Sequence, residues 1–192
     1  MNKVLIGVPN GGSIKAETVS SLLNLIASTD TAQVIFMPIQ GGYKTFNMNR
    51  LVEVAKRNGC SHLLNIDADM IFPEDTLKRL LAHNKDIVGG NYRYRGAVQN
   101  QDNPPSVVKF KKDNKYIEGD IPDKLFECAA LGLGMLLFKT KVFDKLKPPY
   151  FELDEVRPAM EDVIVCEKLR AKNYKIFCDP TIRLGHIGTY IY

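Results

Sequence analysis

Residues 1–90 alternate short apolar runs with segments whose apolar residues recur at helical spacing, and no other feature constrains the fold as tightly. Residues 4–8 form an apolar run that Pro9-Asn10-Gly11-Gly12 breaks, after which Ser13 can cap a helix with Val19, Leu22, Leu23 and Ile26 on one face. Residues 33–37 read as a second strand. Asn47 can cap a second helix with Met48, Leu51, Val52 and Ala55 along one face, and Gly59 suits its C-terminal end. Residues 62–66 form a third strand, Pro73 fits the first turn of a third helix with Leu77, Leu80 and Leu81 inside, and residues 87–90 form a fourth strand. This order predicts an α/β fold, with a mostly parallel central sheet flanked by helices on both faces. Ligands of such sheets bind beyond the carboxyl ends of the strands. That rule directs attention to residues 9–12, to residues 67–69 and to the loop after Gly90.

The pattern changes beyond residue 91. Residues 91–105 read as a long loop, and residues 107–110 and 115–118, separated by Lys-Lys-Asp-Asn, as an antiparallel hairpin. Residues 128–139 are a long apolar stretch with Gly132 and Gly134 inside it. Thr140 can cap a short helix, residues 163–172 read as another helix with Asn173 near its end, and residues 174–178 as a last strand stopped by Asp179-Pro180. No linker, repeat or low-complexity segment divides the chain, so residues 1–192 are expected to form one domain, residues 92–192 elaborating residues 1–91.

Composition agrees. A chain of 192 residues with 45% hydrophobic and 25% charged residues can bury a sizeable core and is not globally disordered. The net charge of +4 is too mild to demand nucleic acid, although Lys109, Lys111, Lys112 and Lys115 form one basic cluster and Lys139, Lys141, Lys145 and Lys147 another. Each cluster reads as a solvated face or as a surface toward phosphates or anionic lipid. Cysteines 60, 128, 166 and 178 form no CxxC pair and no zinc spacing, so reduced thiols and a cytoplasmic location are expected. The longest apolar stretch falls short of the ~20 residues that span a bilayer. The chain therefore reads as soluble, without a membrane anchor but with room for peripheral membrane contact.

Three clusters carry chemistry. The apolar run at 62–66 leads straight into Asp67-Ala68-Asp69. Residues i and i+2 of an extended segment project to one side, so two carboxylates there repel unless a cation lies between them. Hard divalent cations share such oxygens with phosphates. A polar loop in which Asp69 caps the next helix explains the same spacing. Glu161-Asp162 stands directly before a helix, where acids stabilise the N-terminal end or where one carboxylate can serve as general base. If Asp162 is the base, the helix dipole is expected to lower its pKa and keep it ionised. Gly185-His186-Ile187-Gly188 places a histidine where it can ligate Mn²⁺ or Zn²⁺, whereas His62 and His83 read as structural.

Taken in order, these stretches resemble the GT-A-type glycosyltransferases, close to the family 2 group and its short bacterial and phage-like members. The matching segments are Val4-Leu5-Ile6-Gly7-Val8-Pro9, Asn49-Arg50-Leu51-Val52, Asp67-Ala68-Asp69 followed by Met70-Ile71-Phe72-Pro73, Ile87-Val88-Gly89-Gly90, Gly132-Leu133-Gly134, Glu161-Asp162-Val163 and residues 174–188. The resemblance runs along essentially the whole chain. Met48 stands where the family commonly has Arg, and Leu133 where it has Thr. The resemblance implies a single-domain, Rossmann-like sandwich that moves a sugar from a nucleotide-diphosphate donor to a hydroxyl of a saccharide, a lipid-linked molecule or a protein. It implies Mn²⁺ or Mg²⁺ held by Asp67, Asp69 and His186, and donor contacts from Pro9, Asn10, Asn49, Arg50, Asp67 and Ala68. It also implies Asp162 as base, with Glu161 orienting the acceptor. A nucleotidyltransferase shares such a sheet, but its triphosphate loop is richer in basic residues than residues 9–15, which carry only Lys15. A non-catalytic nucleotide-sugar-binding module could dispense with Asp162.

Overall fold

The computed structural model describes residues 1–94, 105–154 and 160–188. The strands are β1 (Asn2–Asn10), β2 (Ala32–Gln40), β3 (His62–Ile66), β4 (Met70–Ile71), β5 (Ile87–Gly90), β6 (Phe110–Lys112), β7 (Lys115–Ile117), β8 (Phe126–Cys128), β9 (Met135–Lys139), β10 (Ile176–Asp179) and β11 (Gly185–His186). The helices are α1 (Ala16–Ser28), α2 (Lys44–Arg57), α3 (Thr76–Ala82) and α4 (Glu161–Arg170), with a 3-10 turn at Thr140–Lys145. Most of the loop expected at 91–105, including Arg95, lies outside the described residues.

A seven-stranded sheet in the order β2-β1-β3-β9-β5-β10-β8 forms the centre. β1 pairs in parallel with β2 and β3, and β10 in parallel with β5. β9 is inserted antiparallel between β3 and β5, and β8 runs antiparallel at one edge. The sheet is therefore mostly parallel and takes strands from both halves of the chain. Strands covered on both faces read as largely apolar runs, which makes residues 4–8 and 62–66 legible as strands. Two small antiparallel sheets, β4 with β11 and β6 with β7, lie outside it.

Local differences from the sequence reading have identifiable causes. The α1 helix begins at Ala16 with no side-chain cap, so Ser13 does not cap it. It buries Thr18, Ser21, Leu22 and Leu25, leaving Val19 and Leu23 39% and 63% exposed. The inward hydroxyls are drawn by partners: Thr18 Oγ1 donates to the Ala68 carbonyl at 3.2 Å, and Ser21 Oγ accepts from Phe72 N–H at 3.4 Å. Asn47 lies in the first turn of α2 instead of capping it, and its Nδ2 donates to the Gly41 carbonyl at 2.6 Å. The Met48, Leu51, Val52 and Ala55 face is buried as the periodicity predicts, and Gly59 ends the helix at φ +61°. The hairpin turns on Asp113 and Asn114, both at positive φ, so β6 starts at Phe110 and the connection is two residues long.

At the far end of α3, His83 Nε2 lies 2.8 Å from Asp179 Oδ2 and the Arg79 guanidinium 3.6 Å away. Thr181 donates to the other Asp179 oxygen from its N–H (2.9 Å) and its hydroxyl (2.6 Å). His83 thus latches α3 to the end of β10, and His62 is buried in β3 with its imidazole pushed down to about 4, first by burial and then by Lys139. All four cysteines are buried free thiols. Among the described residues no helix is long and apolar enough to cross a membrane.

Candidate active site

The Asp67-Ala68-Asp69 segment leaves the carboxyl end of β3, and its backbone is held by three separate parts of the chain. Asp67 N–H donates to the Gly134 carbonyl (3.1 Å) just before β9, and the Ala68 carbonyl accepts from Lys15 N–H (2.9 Å) ahead of α1. The Asp69 carbonyl accepts from Ile187 N–H (2.8 Å) just past β11. Each residue of the motif is fixed by an element that the linear sequence places far away.

The pairing of β4 with β11 sets His186 opposite Met70 and brings its Nε2 to 3.4 Å from Asp69 Oδ1. The other ring nitrogen, Nδ1, lies 3.0 Å from the Arg93 carbonyl. A carbonyl only accepts, so Nδ1 carries a proton and Nε2 is the ring nitrogen turned toward the carboxylate oxygen. A proton on Nε2, or a cation between the two atoms, is what makes that approach to a carboxylate favourable. An imidazole nitrogen oriented by a carbonyl behind it is the usual arrangement of a metal-ligating histidine. The Tyr92 ring packs edge-on against His186, with centroids 5.3 Å apart.

Tyr92 also supports the floor of the site. Its hydroxyl accepts from Gly134 N–H at 2.8 Å. A β-carbon at Gly134 would stand 2.6 Å from Tyr92 Cζ, and one at Gly132 2.5 Å from the Tyr92 oxygen, so both glycines are needed for the ring to fit. Between them the Leu133 carbonyl accepts from Nδ2 of the fully buried Asn65, which also lies 3.4 Å from Asp67 Oδ1.

Lys44, the first residue of α2, was not singled out from the sequence. Its ammonium lies 2.9 Å from Asp67 Oδ2 and 3.4 Å from Glu161 Oε1, joining the starts of α2 and α4 to the end of β3. Burial lowers the Lys44 pKa, but the charges of Asp67 and Glu161 more than offset this, and the group is held above its ordinary value. The available signal was its position just past Gly41-Gly42 at the end of the second strand. An isolated lysine in a loop is too common on protein surfaces for that to stand out.

The acids at the start of α4 differ from expectation. Glu161 is buried and reaches the Asp67 cluster through Lys44. Asp162 Oδ1 accepts from Val163 N–H at 2.7 Å, yet its pKa is raised, because burial outweighs that bond and the Lys44 charge. The expected lowering by the helix dipole is thereby corrected. The Tyr94 hydroxyl is pushed up to about 12, first by burial and then by Asp162, which places Asp162 near that tyrosine.

These elements enclose a pocket of about 360 Å³, lined by Pro9, Asn10, Gly11, Ser13, Lys15, Lys44, Asp67, Ala68, Asp69 and His186. Its size suits a small-molecule ligand. Asn10 shapes the wall: Gly12 N–H donates to its Oδ1 at 3.1 Å, and Gly41 N–H donates to its carbonyl at 3.2 Å. Asn49 and Arg50 do not line the pocket. Asn49 uses its whole amide on backbone, accepting from Tyr150 N–H and Phe151 N–H and donating to the Thr45 and Phe151 carbonyls. Arg50 is exposed, 5.9 Å from the Phe46 ring centre. Among the described residues no group of three or more His, Cys, Asp and Glu side chains is gathered for a metal. Asp69 and His186 supply one oxygen and one nitrogen donor on the pocket wall, a set that fits Mn²⁺ or Mg²⁺ if phosphate oxygens and water complete the shell.

No protein-family model matches this sequence, and no curated protein does. Solved structures do share its fold. The crystal structure of A197 from STIV superposes with a TM-score of 0.70 at 16% identity, over 98% of this chain and 87% of that one. A protein from Desulfovibrio desulfuricans G20, assigned by inference as a nucleotide-diphospho-sugar transferase, superposes with a TM-score of 0.51 at 13% identity, over 94% of this chain and 80% of that one. The chain therefore shares its fold with these two proteins, a mostly parallel sheet flanked by helices with small antiparallel sheets beside it.

Proposed function

We propose that the chain is a metal-dependent glycosyltransferase, similar to the family 2 group, that moves a sugar from a nucleotide-diphosphate donor to an acceptor hydroxyl. The observation that carries this reading is the 3.4 Å approach of His186 Nε2 to Asp69 Oδ1, with Nδ1 committed to the Arg93 carbonyl, on the wall of a pocket at the end of β3. Asp69 and His186 would hold Mn²⁺ or Mg²⁺ at the donor's diphosphate. When bound, the cation supplies Lewis-acid stabilisation of the charge on the leaving diphosphate. Asp67, braced by Lys44 and Asn65, faces the donor, and Pro9, Asn10 and Ala68 form the walls around it. As the acceptor oxygen bonds to the anomeric carbon, the bond from that carbon to the diphosphate oxygen breaks and the hydroxyl proton passes to the Asp162 carboxylate. A base with a raised pKa is better matched to a hydroxyl than an ordinary carboxylate is. In this reading residues 1–91 hold the donor, and residues 92–192 supply the acceptor side, His186 and the base. Calorimetric titration of nucleoside diphosphates with Mn²⁺ and with chelator tests it: binding should depend on the cation, and equal affinity in both conditions rejects the metal role.

A further inference from the structure

Lys44 bridges two carboxylates and still faces the pocket. An ammonium has three N–H donors. Asp67 Oδ2 takes one at 2.9 Å and Glu161 Oε1 stands 3.4 Å away for a second. Among the described residues no third acceptor meets it. Its side chain is 37% exposed, against 19% for Asp67 and 9% for Glu161, so of these three groups the cation is the one turned most toward solvent. A phosphate entering beside Asp67 and Asp69 meets like charge, which the lysines lining the pocket, Lys15 and Lys44, offset, and of the two Lys44 is the one held against Asp67.

We infer that Lys44 is an anion-binding residue of this pocket, its remaining N–H taking an oxygen of the donor's diphosphate while Asp67 and Glu161 hold the ammonium in place. The inference rests on the donor reading above and adds to it a contact from the protein that does not pass through the cation. It has a second consequence. Without Lys44, Asp67 and Glu161 lose their shared counter-ion, and the site should attract cations more strongly.

The test uses inorganic pyrophosphate, which carries the diphosphate without base or sugar, and the full chain in chelator. Lys44→Met should weaken pyrophosphate binding by about 10–100-fold, the range for losing a hydrogen bond between charged groups. Lys44→Arg should recover most of that loss, and Lys44→Met should bind Mn²⁺ alone more tightly than the parent protein. A folded Lys44→Met variant with parental pyrophosphate affinity overturns the inference. In the unsubstituted protein the side-chain ammonium resonance of Lys44 should move on pyrophosphate addition, and an unmoved resonance overturns it even if Lys44→Met does not fold. The donor reading fails separately: nucleoside-diphosphate binding indifferent to Mn²⁺ removes the metal role and leaves a pyrophosphate shift at Lys44 standing.

Discussion

His186 Nε2 stands 3.4 Å from Asp69 Oδ1, and the approach is produced by backbone pairing, Met70 opposite His186 and the Asp69 carbonyl bonded to Ile187 N–H. The pairing is made by backbone atoms, so changing either side chain is expected to leave the loop that carries them in place. Asp69→Asn keeps the shape and removes the charge that balances a cation. Mn²⁺ affinity, read by calorimetry, should fall by at least about tenfold, comparable to losses seen even for outer-shell changes at metal sites. His186→Gln should act in the same direction. Parental Mn²⁺ affinity in both variants would reject the ligand assignment.

Asp162→Asn should cut turnover by about 10²–10⁴-fold, the range for losing a general base, with donor affinity unchanged. Burial raises the Asp162 pKa, so the ionised base is fully present only above that raised value. The acid limb of the pH profile for kcat/KM, which reports the free protein, should therefore lie above the range of an ordinary carboxylate. A variant with parental turnover, or one that loses donor binding, returns Asp162 to the role of a helix-start residue bonded to Val163 N–H.

Gly134→Ala places a β-carbon 2.6 Å from Tyr92 Cζ, in a part of the core without slack. The ring must shift or the strand must move, at a cost of about 1–3 kcal/mol. Because Tyr92 packs on His186, the same change should also weaken Mn²⁺ binding. Chemical denaturation measures the first effect and calorimetry the second. An unaltered denaturation midpoint would show that Tyr92 is free to yield.

Asp179 links α3 to the end of β10. Burial alone would raise its pKa, but Thr181, His83 and Arg79 overcome this, and the folded-state value lies below the ordinary one. A group whose pKa is lowered on folding stabilises the fold above its unfolded value, near ~3.9, and loses that contribution as pH falls through the folded value. Asp179→Asn should therefore cost about 1–3 kcal/mol at neutral pH, as expected when hydrogen bonds to a buried charge are removed. The difference from the parent should shrink in acid, and a constant difference from neutral pH down to the acid limb would contradict the linkage.

The sequence by itself determined the strands and helices of residues 1–90 and the class of sheet they build. Short, largely apolar runs at 4–8, 62–66 and 87–90, each bounded by breakers or polar residues, and the helical-period stripe of Met48, Leu51, Val52 and Ala55 are local patterns that the sequence shows directly. The Asp67–Asp69 spacing was legible for the same reason, since both acids lie a fixed distance past a strand end. Only the tertiary structure decided the rest. The reversed insertion of β9 between β3 and β5 puts Gly134 under Asp67, and β11 carries His186 to Asp69. Thr18 and Ser21 face inward because the Ala68 carbonyl and Phe72 N–H wait there, which no hydrophobic period encodes. Lys44, Asp67 and Glu161 meet because three elements converge at one end of the sheet. The raised pKa of Asp162 follows from burial, a property of the packed chain that outweighs the local helix-terminus effect visible in the sequence.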